Sequence, residues 1–133
     1  MTQPMQVICH GIDLVDCERI ARMLERHEDR FLERVFTPAE QAYSARHQDR
    51  IERLAGRFAV KEAVMKMLGT GWGGDSAWTD IETINDPSGR PEVKLAGTVA
   101  RRAAEMGISQ VSVSITHTAQ LAIASAIALG HGR

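Results

Sequence analysis

GRFAVKEAVMKMLG, residues 56–69, is the stretch that decides the fold, because it predicts a long central helix. It contains no proline, consists mainly of strong helix formers, and ends on Gly69, a typical C-cap residue. Extended back to Ile51, its apolar residues recur at helical spacing and leave one position of the apolar stripe to Glu62. Burying an ionised carboxylate is costly unless a cation pairs with it or a metal binds it. Spacing alone favours an internal pair with Lys66, one turn later on the same face; the alternative is that Glu62 is a metal ligand beside a phosphate-binding lysine.

The composition predicts one ordinary domain over residues 1–133. The chain is 44% hydrophobic and 25% charged, and its net charge of −1 provides no overall basic field for nucleic acid. Cys9 and Cys17 form neither a CxxC motif nor a zinc-ligand spacing, so we expect reduced thiols and a cytoplasmic protein. We find no signal-peptide pattern at residues 1–5, and the longest apolar run, residues 121–129, is too short to cross a membrane.

A second carboxylate stands at an unexpected position near the N-terminus. Residues 6–15 predict a strand whose apolar pattern is interrupted at Asp13, between Ile12 and Leu14. The commoner interpretation is a solvent-facing position of an alternating strand. The other is a buried ligand, which the apolar flanks of Asp13 also allow.

A helix is predicted to follow over about residues 17–28, with Asp16 as its N-cap. Its polar face carries arginines in helical register, namely Arg19, Arg22 and Arg26. Acidic residues are interspersed, so this face is either an ordinary solvated surface or a basic ridge that fits an acidic partner helix. The residues alone do not favour either interpretation.

The remaining segments predict the fold class. The same patterns predict a capped helix from Thr37 to about His47, the central helix at 50–68, a hairpin at 78–85 and 91–95, a helix at 98–106, and strands at 111–115 and 121–129, the last more fully buried. The glycine-rich run at 69–74 is only a weak phosphate-binding signal. The order predicts an α+β domain with a mainly antiparallel sheet packed against the long central helix.

Several short motifs stand together in one characteristic order. They are Gly11–Val15, Gly56–Ala63 with Lys66 and Gly69–Gly71, Asp80–Glu82, Gly89–Pro91 and Val113–Thr118. With this set, the sequence closely resembles the holo-acyl-carrier-protein synthases, the small 4'-phosphopantetheinyl transferases of bacterial fatty-acid synthesis. The resemblance runs from about Val7 to Ala128 and implies a fold like that of the 4'-phosphopantetheinyl transferases.

The resemblance implies a magnesium-dependent enzyme that transfers 4'-phosphopantetheine from coenzyme A to a serine of apo acyl carrier protein, releasing adenosine 3',5'-bisphosphate. It also implies a homotrimer whose active sites are shared between neighbouring subunits. Glu62 and a metal-bound water are both candidates for the group that accepts the serine proton. Neither nucleic acid nor a membrane is an expected partner.

The residues that match the family's functional positions fall into four sets. The metal-binding carboxylates are Asp13 and Glu62. The groups at the reacting phosphate are Glu62 and Lys66. The coenzyme A contacts are Arg57, Lys66, Gly69, Pro91, His117 and Thr118. The carrier-protein docking residues are Arg19, Arg22 and Arg26.

Three alternatives remain open at this stage. A phosphopantetheinyl transferase that serves a polyketide or peptide carrier protein would keep every catalytic feature and differ at the docking helix. A non-catalytic module that binds acidic helices would keep the arginines but would not require Asp13 and Glu62 at apolar positions. A metal-dependent phosphohydrolase is disfavoured, because the sequence lacks the histidines and further carboxylates of a two-metal site.

Overall fold

The computed structural model describes residues 4–69, 71 and 76–132. Its elements are β1 (Gln6–Asp16), α1 (Cys17–Val35), α2 (Pro38–Ala45), α3 (Arg50–Leu68), a 3₁₀ helix (Trp78–Asp80), β2 (Ile81–Asn85), β3 (Pro91–Leu95), α4 (Gly97–Glu105), β4 (Ile108–His117) and β5 (Leu121–Gly130). This order confirms the predicted α+β class. Apart from Gly69 and Gly71, the glycine-rich run predicted at 69–74 lies outside the described residues.

Two antiparallel sheets are present in the described part of the chain. The larger has three strands in the order β1-β5-β4, and the smaller is the β2–β3 hairpin. Helix α3 packs on one face of the larger sheet, where β5 presents a column of fully buried alanines, Ala122, Ala124, Ala126 and Ala128. Small side chains at this face allow the helix and the sheet to approach closely.

Gly11 brings β1 into direct contact with the backbone of α3. A Cβ atom at Gly11 would lie 2.2 Å from the carbonyl oxygen of Ala63, a separation that no side chain tolerates. Only glycine allows this approach. The contact sets which residues of β1 face the helix, and Gly11 and Asp13 are among them.

The opposite face of the larger sheet is apolar and exposed. Ile12 is 62% exposed, Leu14 is 59% exposed and Ile127 is 40% exposed. The prediction that residues 121–129 form a more fully buried strand than 111–115 is confirmed, since every second residue of β5 from Ala122 onward is buried and no residue of β4 is. Only the alanine face of β5 is covered, because α3 packs on one side of the sheet alone.

The helix starts agree with the predicted capping residues. The Asp16 side chain accepts a hydrogen bond from the backbone of Glu18 at 3.0 Å, and Thr37 forms a complete capping box with Glu40. Helix α1 continues to Val35 rather than ending near residue 28, with a kink at His27, whose φ is −136°. Within the described ranges, no helix is long and apolar enough to cross a membrane.

Candidate active site

Asp13 faces α3 rather than solvent. Its side chain is 12% exposed, and Lys66 Nζ donates to Asp13 Oδ1 at 2.7 Å. The strand does alternate, but with the carboxylate inward and Ile12 and Leu14 outward. The solvent-facing interpretation of Asp13 is wrong, because the contact at Gly11 turns this side of β1 toward the helix.

Lys66 lies between two carboxylates. The hydrogen bond to Asp13 raises the pKa of Lys66, the charge of Asp13 adds to this, and the charge of Glu62 has a smaller effect in the same direction. Glu62 is half-buried one turn earlier on α3. Spacing predicted an internal Glu62–Lys66 pair, but the structure shows a cluster of three groups in which Asp13 is the hydrogen-bonded partner. Lys66 is therefore a protonated, 58% exposed cation at neutral pH.

The donor set of this cluster fits a hard divalent cation. Asp13 and Glu62 supply carboxylate oxygens, and Mg²⁺ is commonly held by one or two carboxylates together with water and substrate phosphates. No group of three or more histidine, cysteine, aspartate or glutamate side chains with metal-binding geometry occurs among the described residues. The described residues thus offer a partial shell of carboxylates, which phosphate oxygens and water would complete around a bound cation.

Arg57 belongs to a separate, buried cluster beside the β2–β3 hairpin. It is 4% exposed, its guanidinium lies 3.8 Å from the centre of the Tyr43 ring, and Nη2 donates to the side chain of Asn85. Burial lowers the pKa of Arg57. Its buried Nε has no hydrogen-bond partner in the described part of the chain. Asn85 pairs with Pro91 at the turn end of the hairpin, so Arg57 lies close to Pro91 through its bond to Asn85.

Further groups of this cluster escaped the sequence analysis. Arg53 donates to the Tyr43 hydroxyl at 3.1 Å and pairs with Asp49 at 3.2 Å. The arginines at 46, 50, 53 and 57 recur every three or four residues, which is the one sequence signal that could have revealed the basic cluster. Asn85 and Tyr43 carry no such signal.

His117 and Thr118 lie at the turn between β4 and β5. Thr118 Oγ1 accepts from the backbone of Gln120 and Leu121, each at 3.1 Å, so it stabilises the turn. The exposed His117 lies near Asp49: the hydrogen bond from Arg53 lowers the pKa of Asp49, and His117 contributes a smaller effect. Strand β5 separates β4 from β1, which places His117 about 10 Å or more from Asp13.

One chain therefore does not bring all the predicted site residues together. Asp13, Glu62 and Lys66 meet on one side of α3. Arg57 precedes Glu62 by five residues, which turns it about 140° around the helix, toward Asn85 and Pro91. Gly69 ends α3 as its C-cap, with a φ of 73°.

Of the predicted basic ridge, only Arg19 is among the residues that line an apolar groove between α1 and α3. Arg19, Arg22 and Arg26 are exposed on α1, and the Arg19 guanidinium lies 5.3 Å from the centre of the Phe58 ring. Phe58 in turn stacks on Trp78, with ring centres 5.0 Å apart. The groove, about 740 Å³ in volume, is lined by Arg19, Met23, His27, Arg30, Phe31 and Phe58 among others. Because Phe58 lies one turn before Glu62, the groove adjoins the carboxylate cluster.

Comparison with known proteins supplies the family. The profile of the 4'-phosphopantetheinyl transferase superfamily matches residues 10–124. A holo-[acyl-carrier-protein] synthase of Solibacter usitatus is 44% identical over 121 residues, which are 91% of this chain and 97% of that protein.

Solved structures agree over nearly the whole chain. An acyl carrier protein synthase of Plasmodium yoelii with ADP bound has a TM-score of 0.84 at 31% identity. The match covers 98% of this chain and 100% of the Plasmodium yoelii chain. The holo-[acyl-carrier-protein] synthase of Helicobacter pylori in complex with coenzyme A has a TM-score of 0.79 at 33% identity. That match covers 90% of this chain and 98% of the Helicobacter pylori chain. The chain therefore belongs to the 4'-phosphopantetheinyl transferase superfamily, in which it groups with the holo-[acyl-carrier-protein] synthases.

Proposed function

We propose that this protein transfers 4'-phosphopantetheine from coenzyme A to a serine hydroxyl of an apo acyl carrier protein of fatty-acid synthesis, releasing adenosine 3',5'-bisphosphate. The observation that carries the proposal is the convergence of Asp13 and Lys66 at 2.7 Å, with Glu62 one turn away, in a chain whose relatives are named for this reaction. The coenzyme A bound to the Helicobacter pylori relative supports the choice of donor.

Magnesium is part of the proposal. A Mg²⁺ ion held by Asp13 and Glu62 would neutralise the diphosphate and stabilise the charge that develops on the leaving phosphate. Lys66 supplies a fixed positive charge at the same place, because it stays protonated and 58% exposed. The serine proton passes to Glu62 or to a water molecule as the hydroxyl oxygen attacks phosphorus.

The nucleotide end of coenzyme A fits the basic cluster at the hairpin. Arg57 has a buried Nε with no described partner, and a phosphate oxygen accepts hydrogen bonds from such a group. Pro91 lies beside Arg57 through Asn85, and Gly69, His117 and Thr118 complete the proposed contacts.

We further propose a homotrimer in which one site draws on neighbouring subunits. Asp13 and Glu62 lie on a different side of α3 from Arg57, and β5 separates Asp13 from His117. The larger sheet also presents an exposed apolar face, with Ile12 and Leu14 each more than half exposed, and monomeric proteins rarely expose such a face. A shared site explains both features.

The carrier protein docks on α1 in this proposal. Arg19, Arg30 and Arg34 give the groove a basic rim, and Met23 and Phe58 give it an apolar floor. Arg22 and Arg26, exposed on the same helix, add positive charge nearby. An acidic amphipathic helix matches both properties, since its charges meet the rim and its apolar side chains enter the groove. In this proposal the modified serine reaches the phosphate past Phe58, which lines the groove one turn before Glu62 on α3.

Two alternatives remain. A polyketide or peptide carrier protein would use the same catalytic cluster, and the α1 groove would decide between these carriers. A non-catalytic module gives no reason for Asp13 to be 12% exposed and to face Lys66 and Glu62. We expect the reaction to take place in the cytoplasm, where coenzyme A and reduced thiols are present.

The decisive experiment is mass spectrometry of apo acyl carrier protein after incubation with this protein, coenzyme A and Mg²⁺. We expect a gain of one phosphopantetheine, its loss with a chelator, and a rate about 10²- to 10³-fold lower for Glu62→Gln. Glu105→Gln, an exposed change at the end of α4, is the matched control and should not alter the rate. No gain with fatty-acid, polyketide or peptide carriers would refute the transferase. A gain with polyketide or peptide carriers alone would reassign the carrier.

A further inference from the structure

A buried ion pair of α3 has no role in the reaction described above. Lys61 Nζ donates to Glu40 Oε1 at 2.7 Å, and both side chains are 0% exposed. Burial lowers the pKa of Lys61, and the carboxylate of Glu40 opposes that shift. Buried ion pairs are often no more stabilising than apolar side chains of the same size, so stability alone does not explain this one.

Three further hydrogen bonds of the Glu40–Lys61 pair join it to the backbone around β2. Lys61 also donates to the carbonyl oxygens of Trp78, at 3.1 Å, and of Ile81. Glu40 Oε2 accepts from the backbone of Thr83 at 3.0 Å. One carbonyl and one N–H on the same edge of β2 are therefore bonded to the pair, as a neighbouring strand would bond them.

Directionality distinguishes these bonds from an apolar contact. The ammonium group has three protons, and all three are used, for Glu40, Trp78 and Ile81. Glu40 Oε1 also accepts from the backbone of Thr37, which attaches the pair to the start of α2. Such directional bonds are satisfied at one position of β2 along α3, whereas an apolar contact tolerates sliding.

The same strand leads to the Arg57 cluster. Arg57 lies one turn before Lys61 on α3, and it bonds Asn85 at the end of β2, two residues after Thr83. Asn85 pairs with Pro91, the first residue of β3. A shift of β2 against α3 would move both residues away from Arg57. Lys61 also directly precedes Glu62 on α3. The pair therefore connects the hairpin to the same turn of helix that carries the carboxylate cluster.

We propose that the Glu40–Lys61 pair positions the β2–β3 hairpin on α3 and thereby sets the geometry of the Arg57 cluster at which coenzyme A binds. The part concerning coenzyme A rests on the proposed function. The part concerning the hairpin does not. Glu40 and Lys61 are positioning residues, since neither reaches the substrate.

The test variant is Glu40→Gln with Lys61→Met, which removes both charges and the bonds from Lys61 to β2. The amide of glutamine keeps one acceptor oxygen, enough for the backbone N–H of Thr37 but not also for that of Thr83. Val99→Ala is the matched control. It truncates a buried side chain of α4 and so lowers stability without touching the Glu40–Lys61 pair. We expect the double variant to raise the KM for coenzyme A about tenfold, the cost of one misplaced charged hydrogen bond, with kcat changed less than about threefold. The control should keep the native KM.

A second measurement is independent of activity. In the native protein, stacking on Tyr43 and the bond to Asn85 should hinder rotation of the Arg57 guanidinium, which nitrogen NMR detects as separate side-chain signals. The double variant should average these signals and Val99→Ala should not. An unchanged Arg57 signal, or an unchanged KM in an active double variant, would overturn the proposal. A native protein without transferase activity would refute the proposed function, and the Arg57 signal would still decide whether the pair positions the hairpin.

Discussion

Two lysines of α3, five residues apart, form ion pairs of equal length and opposite character. Lys61 and Lys66 each donate to a carboxylate at 2.7 Å. The Glu40–Lys61 pair is 0% exposed on both sides, whereas Lys66 is 58% exposed and its partner Asp13 is 12% exposed. The distance between the charged atoms therefore says nothing about what each pair does.

The difference lies in what surrounds each ammonium group. All three protons of Lys61 are bonded within the protein, so this cation cannot turn to a ligand without losing buried hydrogen bonds. Among the described residues, Lys66 has one short bond, to Asp13, and a long contact of 3.4 Å to the carbonyl oxygen of Ile12. An exposed lysine with one firm partner can add a phosphate oxygen at little cost. The buried pair therefore suits a structural role, and the exposed pair suits the catalytic role that we propose for it.

The largest expected effect is the loss of stability on breaking the buried pair. Lys61→Met leaves Glu40 as an uncompensated buried carboxylate, which costs about 3–5 kcal/mol of unfolding free energy. Urea unfolding followed by circular dichroism measures it. Adding Glu40→Gln should recover part of the loss, because it removes the unpaired charge. A loss below about 1 kcal/mol for Lys61→Met would show that water reaches the pair and would end the contrast with Lys66.

A smaller loss is expected at the contact that positions the exposed pair. In Gly11→Ala, the new Cβ would lie 2.2 Å from the carbonyl oxygen of Ala63, so β1 must move away from α3. Overpacking of this kind costs about 1–3 kcal/mol. Transferase activity should fall as well, because Asp13 moves with β1, while amide exchange at Thr83 stays slow. Faster exchange at Thr83 would mean that the two pairs are not independent.

Sequence patterns marked the residues of the exposed pair, although they paired Lys66 with Glu62 rather than with Asp13, and they gave no sign of the buried pair, for a physical reason. Asp13 and Glu62 attract notice because each interrupts an apolar pattern, and such patterns are local. Glu40 already had an explanation as part of the capping box, and Lys61 passed as an ordinary helix residue. Their contact spans 21 residues and depends on how α2 packs on α3, which no local pattern encodes.

The same limit explains which parts of the fold were predicted. Helix boundaries that carry a local signal were predicted nearly correctly. Examples are the start of α2 at Thr37 and the end of α3 at Gly69. The continuation of α1 past His27 to Val35 was not, because it depends on tertiary packing of Phe31 and Leu32 in the core. The orientation of Asp13 was left open for the same reason, since it follows from the contact between Gly11 and Ala63.

The exposed pair should be important for rate and unimportant for stability. Lys66→Met is expected to lower kcat by about 10²-fold, because it removes a positive charge at the reacting phosphate. The unfolding temperature should change by no more than about 3 °C, as for other exposed ion pairs. Differential scanning calorimetry and the carrier-protein mass assay measure the two effects. Lys94→Met, an exposed lysine of β3, is the control, and an equal loss of rate there would remove the special role of Lys66.

The smallest expected effect is the pH dependence of the stability that the Asp13–Lys66 pair contributes. The pKa of Lys66 is raised in the folded protein, so its contribution to stability is fully present below the unfolded pKa of about 10.4 and is lost as the pH rises through the folded value. The unfolding temperatures of the native protein and Lys66→Met should thus differ by a constant small amount from pH 8 to 10 and converge above it. Other titrating groups are common to both proteins and cancel in the difference. A gap that widens above pH 10 would contradict a raised pKa and would assign the stabilising charge to a group other than Lys66.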